Sequence, residues 1–437
     1  MSKKELIGEK IFILMKWGFF AYLVVTSPFF FFPKLGSVWI VWLAFVFIFY
    51  FFLLAADFRN RSALDLVLLL FMVQLFINLL IIPDPAFSLA KIMGAFYGVL
   101  VFYGLMEILR TRKLAFVFLT LFLLTGTGLS LGGVMGMMWN PESFFSRLVD
   151  LFSKIVPRFS YKLPGAEAGI NPNPLGGSLL LFLPLTFYLL LSYLDKNGPN
   201  FPLKIDTYLF IFSLFSLYVM LTALFLTQSV GSWLALILTA FIFLFLRGNW
   251  KRRTVAMAIL ILLTVAVIYS WGNLKKISPL EQFFYSKMSS RLSFWKLGLE
   301  IIKEHPLAGI GMNRVRLKPE VGYEAAHLHN HMLHTAAEMG LPALLAYLAM
   351  LCLAGYMCYQ TYRNSKEGWM RAASLGLGAG QMAHFFYGLT DSIPFGAKPG
   401  IFFWISLALI NGLYNLEFRG EIKRNELINK SSHKKDA

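Results

Sequence analysis

The chain alternates long apolar runs with short polar breaks. A run needs about 20 residues to cross a bilayer, and about twelve runs approach that length. They lie near 11–32, 37–56, 66–83, 88–109, 114–139, 174–194, 207–226, 229–246, 254–272, 338–361, 372–392 and 397–415. Almost nothing joins 207–226 to 229–246, which predicts a tight hairpin. The pattern predicts an all-α polytopic membrane protein. It divides the chain into helices 1–5 within 1–139, a first outer loop at 140–173, helices 6–9 within 174–272, a long outer loop at 273–337, helices 10–12 within 338–415, and a basic tail at 416–437.

Both long loops carry helical patterns of their own. In NPESFFSRLVDLFSKIVP, Phe144, Phe145, Leu148, Leu151, Phe152 and Ile155 share one face, while Arg147, Asp150 and Lys154 share the other. This reads either as an amphipathic helix at the outer interface or as one that packs beneath the second loop. The first loop closes with NPNP. An Asn cap at Asn173 with Pro174 at the first helical position predicts the return into the membrane there. Asn171 and Asn173 serve either as caps or as hydrogen-bonding groups for a sugar or phosphate. In the second loop Met288, Leu292, Trp295, Leu299 and Ile302 recur at helical spacing. Arg291 and Trp295, four apart, share a face. His305-Pro306 ends this helix, and Gly-Ile-Gly follows as a turn.

Composition agrees with the pattern. The 437 residues are 57% hydrophobic and only 14% charged, against about a quarter charged in soluble domains. The net charge of +17 reads as cytoplasmic loops rather than as a nucleic-acid surface. With the N-terminus inside, DFRNRS, RTRK, RGNWKRR, RNSKEGWMR and the tail all fall inside, and the outer turns keep only Lys34 and Lys398. Both termini are thus expected in the cytoplasm and the long loops outside. Cys352 and Cys358 lie about 9 Å apart along a helix axis, too far for a disulfide. No cleavable signal is evident. The inner loops have no room for an ATPase domain and no Gly-rich phosphate cradle.

Four of the seven histidines crowd into AHLHNHMLHTAAEMGLP: His327, His329, His331 and His334. If the stretch is helical, His327, His331 and His334 form a stripe that Glu338 continues, with the residue types of a zinc site. If it is extended before about His331, then His327, His329 and His331 share a side. The remaining readings are solvated histidines at a helix start and a general base facing a cavity, a role that suits a group titrating near neutral pH. Gln381, His384 and Asp391 lie in or at the end of an apolar run. They are either site groups or helix–helix hydrogen bonds.

Several segments, in order, resemble the bacterial O-antigen ligase and polymerase superfamily. They are INPNPLGGSLLLFLPL (170–185), TQSVGSWLALIL (227–238), RLSFWKLGLEIIKEHPLAGIGMN (291–313), HNHMLHTAAEMGLPALLAYL (329–348), and HFFYGLTDSIP with the later FFW (384–404). The resemblance covers about 170–405. It implies a GT-C-like membrane glycosyltransferase in the bacterial inner membrane, working on the outer side without a metal or other cofactor. The donor would be an undecaprenyl-diphosphate-linked glycan. The acceptor would be a glycan, either lipid A-core for a ligase or a lipid-linked repeat unit for a polymerase. The residue matching the family's essential histidine is His329, and Arg291 matches a diphosphate-binding arginine. A second family arginine is Val230 here, so Arg158, Lys162, Arg314 or Arg316 would have to supply that charge. His327, Asn330, Glu338 and Asp391 are expected to support the site, and Trp295 to wall the groove for the polyprenyl tail. A secondary transporter is the reading from another class. It is disfavoured by the lack of a repeat between the halves.

Overall fold

The computed structural model describes residues 17–25, 62–137, 169–193, 206–247, 254, 279–321 and 327–433. Among them the protein is all-helical, with no strand beyond a single bridge between Met137 and Ile170. The helices are α1 (Asp65–Ile81), α2 (Pro85–Ile108), α3 (Arg112–Gly136), α4 (Pro172–Leu179), α5 (Leu183–Tyr193), α6 (Asp206–Thr227), α7 (Val230–Arg247), α8 (Pro279–Glu304), α9 (His331–Met339), α10 (Leu341–Asn364), α11 (Gly368–Gly388) and α12 (Ile401–His433). Residues 17–25 are helical as well.

Among the described residues, six stretches are long and apolar enough to cross a membrane: Phe87–Ile108, Arg112–Gly136, Pro172–Tyr193, Thr207–Thr227, Leu341–Asn364 and Lys398–Phe418. Helix α1 and the start of α7 are apolar but shorter. Nine of the runs read from the sequence therefore coincide with helices. The runs at 37–56 and 254–272, most of 11–32, the amphipathic segment 144–156, and Arg158 and Lys162 lie outside the described residues.

The core gathers where α11 packs against α5, α7 and α10, with α12 lying on α2 and α10. Trp369, Trp404, Tyr347 and Tyr387 are the largest fully buried side chains among the described residues. Small residues set the closest approaches. An added Cβ at Gly376 or Gly380 would run into the backbone of Leu185 or Leu181, so this four-residue glycine spacing lets α5 press against α11. Pro184 cannot donate a backbone hydrogen bond. The chain tightens just before it, with Leu181 and Phe182 bonding three residues back, and this separates α4 from α5.

Two expectations are corrected. The segment 207–246 is not a packed hairpin. Only Gln228 and Ser229 separate α6 from α7, but α6 lies on α3 and α5 while α7 lies on α11. The reason is the small-residue start of α7: Gly231 fits against Thr390 and Tyr387, and Ser232 against Gly176. The second correction concerns the cap. Helix α4 starts one proline earlier than expected, with Asn171 as cap accepting from the Asn173 N–H at 3.0 Å and Pro172 in the first turn.

Candidate active site

The site forms at the end of the bundle where α11 stops and α7, α9 and α10 begin. Helix α9 is short and starts at His331 because Asn330 caps it, its side-chain oxygen accepting from the N–H groups of Met332 and Leu333 at 3.0 Å each. His327 and His329 thus precede the helix, and the stripe of His327, His331 and His334 does not form. Nor is the approach simply extended. His329 has φ +50°, a left-handed conformation costing a side-chain-bearing residue about 1–2 kcal/mol.

That turn aims His329 at Asp391, just past the end of α11. His329 Nδ1 lies 3.1 Å from Asp391 Oδ1. His327 Nε2 lies 3.5 Å from the same oxygen. The Ser392 N–H also donates to it at 2.8 Å. Phe294 of α8 stacks on the His329 ring at 6.0 Å. Burial pushes the buried Asp391 carboxyl up, but the His329 hydrogen bond, the two neighbouring imidazoles and the Ser392 N–H outweigh it and hold it below its ordinary range. Burial dominates at His327 and lowers it to about 4 despite the pull of Asp391. An anionic Asp391 bonded to Nδ1 fixes the proton there and leaves Nε2 of His329 as the basic atom. His329 remains partly exposed.

The other two histidines of the stretch find partners elsewhere, although the His334 ring meets that of His327 edge-on at 6.2 Å. His331 is buried between Tyr347 and Phe395, with Nδ1 3.1 Å from Ser392 Oγ. His334 Nε2 lies 3.3 Å from Glu338 Oε2, both side chains buried. Glu338 also accepts from the Val315 N–H at 3.3 Å, so it braces the 305–318 loop. Burial raises Glu338 from its ordinary 4.5 to about 7, and lowers His334 to about 3. Between 4.5 and 7 the folded chain therefore holds a proton on Glu338 that the unfolded chain has lost, and stability contributed there falls as pH rises. His327 and His334 act oppositely, adding stability as pH rises toward 6.5. Glu338→Gln should accordingly gain on the parent protein as pH rises from 4.5 to 7, by on the order of 3 kcal/mol. Thermal melts of the two proteins across that pH range check this. A constant difference would mean that Glu338 ionises normally.

Arg291 lies on α8, three residues before Phe294, whose ring stacks on His329. Trp295, one turn on, has a buried indole N–H without a partner among the described residues. Val230 is 54% exposed at the start of α7. Arg314 does not join the cluster. With His305 and Lys318 it lines a separate cavity whose lining holds none of His327, His329, Asp391 or Arg291. Asn171 caps α4, and Asn173 lies inside that helix. Gln381 and His384 bond between helices, to Ser406 Oγ at 2.8 Å and the Gly177 carbonyl at 3.3 Å.

Two residues escaped the sequence reading. Gln74 and Asn78 are buried amides in the apolar helix α1. Gln74 donates to the carbonyls of Leu307 and Met339. Asn78 donates to Ala308 O at 3.1 Å and accepts from Met312 N at 2.9 Å. Their signal was visible, since two amides four apart in an apolar run share a face and need partners.

Chemically, the cluster offers a partly exposed imidazole backed by a buried carboxylate. The ligand atoms of His327, His329 and Asp391 also lie within 4.8 Å of one another, so the same three could hold a divalent cation. Residues 215–348 match the O-antigen ligase family model. The match places residues 215–348 in the O-antigen ligase superfamily. The family segment runs from α6 through α8 and α9 into α10, and so includes Arg291, His327 and His329, while Asp391 lies beyond it. A search of curated proteins finds no match. That segment and the apolar helices together support a membrane protein of O-antigen ligase-like, glycan-processing type.

Proposed function

We propose that this protein is a membrane glycosyltransferase that moves a glycan from undecaprenyl diphosphate to an acceptor hydroxyl at the outer face of the inner membrane, most simply as an O-antigen ligase acting on lipid A-core. The observation that carries this reading is His329, oriented by Asp391 and partly open to solvent within the O-antigen ligase segment. The donor brings its own leaving group. The protein needs a base for the acceptor hydroxyl and positive charge for the departing diphosphate.

His329 Nε2 takes the acceptor proton, and Asp391 stabilises the imidazolium that results. Arg291 supplies charge to the diphosphate, and Trp295, whose indole N–H has no partner among the described residues, lies one turn along the same helix. Arg314 is left out of this clamp because it lines another cavity. No metal takes part in this scheme, so transfer should survive a chelator. Arg291→Ala should raise the donor KM about tenfold or more, the loss of one charge-assisted phosphate contact. Arg291→Lys should recover only part, because a point charge replaces a planar fork. Unchanged donor kinetics in both variants would put the diphosphate elsewhere.

The reaction is tested by deleting the gene and sizing glycans on the carrier and on the acceptor separately. Long chains stranded on the carrier above a bare acceptor identify a ligase. Single repeat units reaching the acceptor without a ladder identify a repeat-unit polymerase, the second reading within the superfamily. Unchanged glycans in both fractions would overturn both.

A further inference from the structure

The cavity that holds Arg314 lies at the end of α1, where Ile81 and Pro83 meet the loop after α8. Its volume is about 550 Å³, and its walls carry three basic side chains, His305, Arg314 and Lys318, with no carboxylate. No ion pair ties those three to a carboxylate among the described residues; Glu304 and Glu320, their exposed neighbours in sequence, are not in the wall. The remaining wall is apolar, formed by Ile81, Pro83 and Leu317 among others. Next to it, Leu80 and Leu307 are 84% and 73% exposed. The frame is fixed by the Asn78 and Gln74 hydrogen bonds and by Gly309, which sits against the Glu338 backbone.

Basic side chains without an ion pair among the described residues, at the end of an apolar helix and flanked by exposed aliphatic side chains, match a phosphate carried on an acyl chain. The arginine fork and the lysine take the phosphate oxygens, and Leu80 and Leu307 meet the chain. A free phosphate would use the cations but leave the aliphatic surface in water. We infer that this cavity seats the headgroup of an anionic phospholipid, distinct from the donor diphosphate at His329. An occupant there would lean on the 305–318 loop, which also braces α9 through Ile310 N–Ala337 O and Gly311 N–Glu338 O, 2.9 Å each.

The full chain reconstituted in lipid nanodiscs tests this by hydrogen exchange, which reads the loop directly and does not depend on the transfer reaction. Amides of 309–318 should exchange roughly tenfold more slowly in discs containing phosphatidylglycerol than in phosphatidylcholine alone, a coupling of about 1.4 kcal/mol. The double variant Arg314→Gln/Lys318→Gln should lose that protection. If that variant loosens α10 and α11 as well, Leu317→Asp, which puts a carboxylate in the wall from an exposed position, should lose it with the core unchanged. Protection that persists in these variants would come from general surface charge and overturn the site. Equal protection by inorganic phosphate in phosphatidylcholine discs would make it a free-anion site and overturn the lipid assignment.

Discussion

Replacing His329 by alanine should abolish glycan transfer while the bundle still folds and inserts. A general base contributes about 100- to 10,000-fold, and a loss of that size in kcat, with donor KM little changed, is expected. The strained backbone at φ +50° supplies a second variant. Alanine keeps that strain, whereas glycine relieves it. His329→Gly should therefore melt at least as high as His329→Ala and be equally inactive. Equal inactivity at unequal stability separates the chemistry from the fold. Asp391→Asn should cost less, since it keeps a hydrogen-bonding side chain and removes only the charge that favours imidazolium. A retained rate in both His329 variants would remove the base assignment. Loss of the wild-type rate with a chelator would redirect attention to His327, His329 and Asp391 as metal ligands.

The helical architecture was legible because apolar run length is a local property. Nine runs coincide with helices, and the stop of α8 at Glu304 follows from His305-Pro306. Partner choice was less legible. A two-residue link between α6 and α7 reads as a hairpin, but the glycine and serines that open α7 direct it to α11 and α4 instead, and that is decided by surfaces far away in sequence. The site shows the same division. His329 and Arg291 were singled out through motif resemblance. The pairing of His329 with Asp391, 62 residues on, depends on where α11 ends and on a left-handed turn that residue types alone do not demand. The histidine stripe failed because Asn330 is a better helix cap than helix interior. Arg314 was grouped with the diphosphate by charge alone, which carries no direction. Gln74 and Asn78 could have been found, since a buried amide in an apolar helix must bond to something.

Gly309→Ala should destabilise the protein by more than about 2 kcal/mol and disable the site without touching a catalytic group. The residue has φ +66°, and an added Cβ would fall on the Glu338 carbonyl and the Met339 nitrogen, both backbone. The left-handed penalty alone is about 1–2 kcal/mol. Backbone atoms cannot swing aside as a side chain can, so the clash adds to it. The loop would have to lift off α9, which breaks Ile310 N–Ala337 O and Gly311 N–Glu338 O and strands the buried Glu338 carboxyl without the Val315 N–H. Because α9 starts at His331, capped by Asn330 and only two residues after His329, a shift of this helix misplaces the proposed base. A control comes from Gly355 on α10, where an added Cβ meets nothing within 4 Å. Gly355→Ala should be neutral or stabilising by about 0.4–1 kcal/mol. Melting temperature and transfer rate, measured together, should both fall for Gly309→Ala and hold for Gly355→Ala. If Gly309→Ala melts like the parent, the docking of this loop onto α9 is not what holds the site in place.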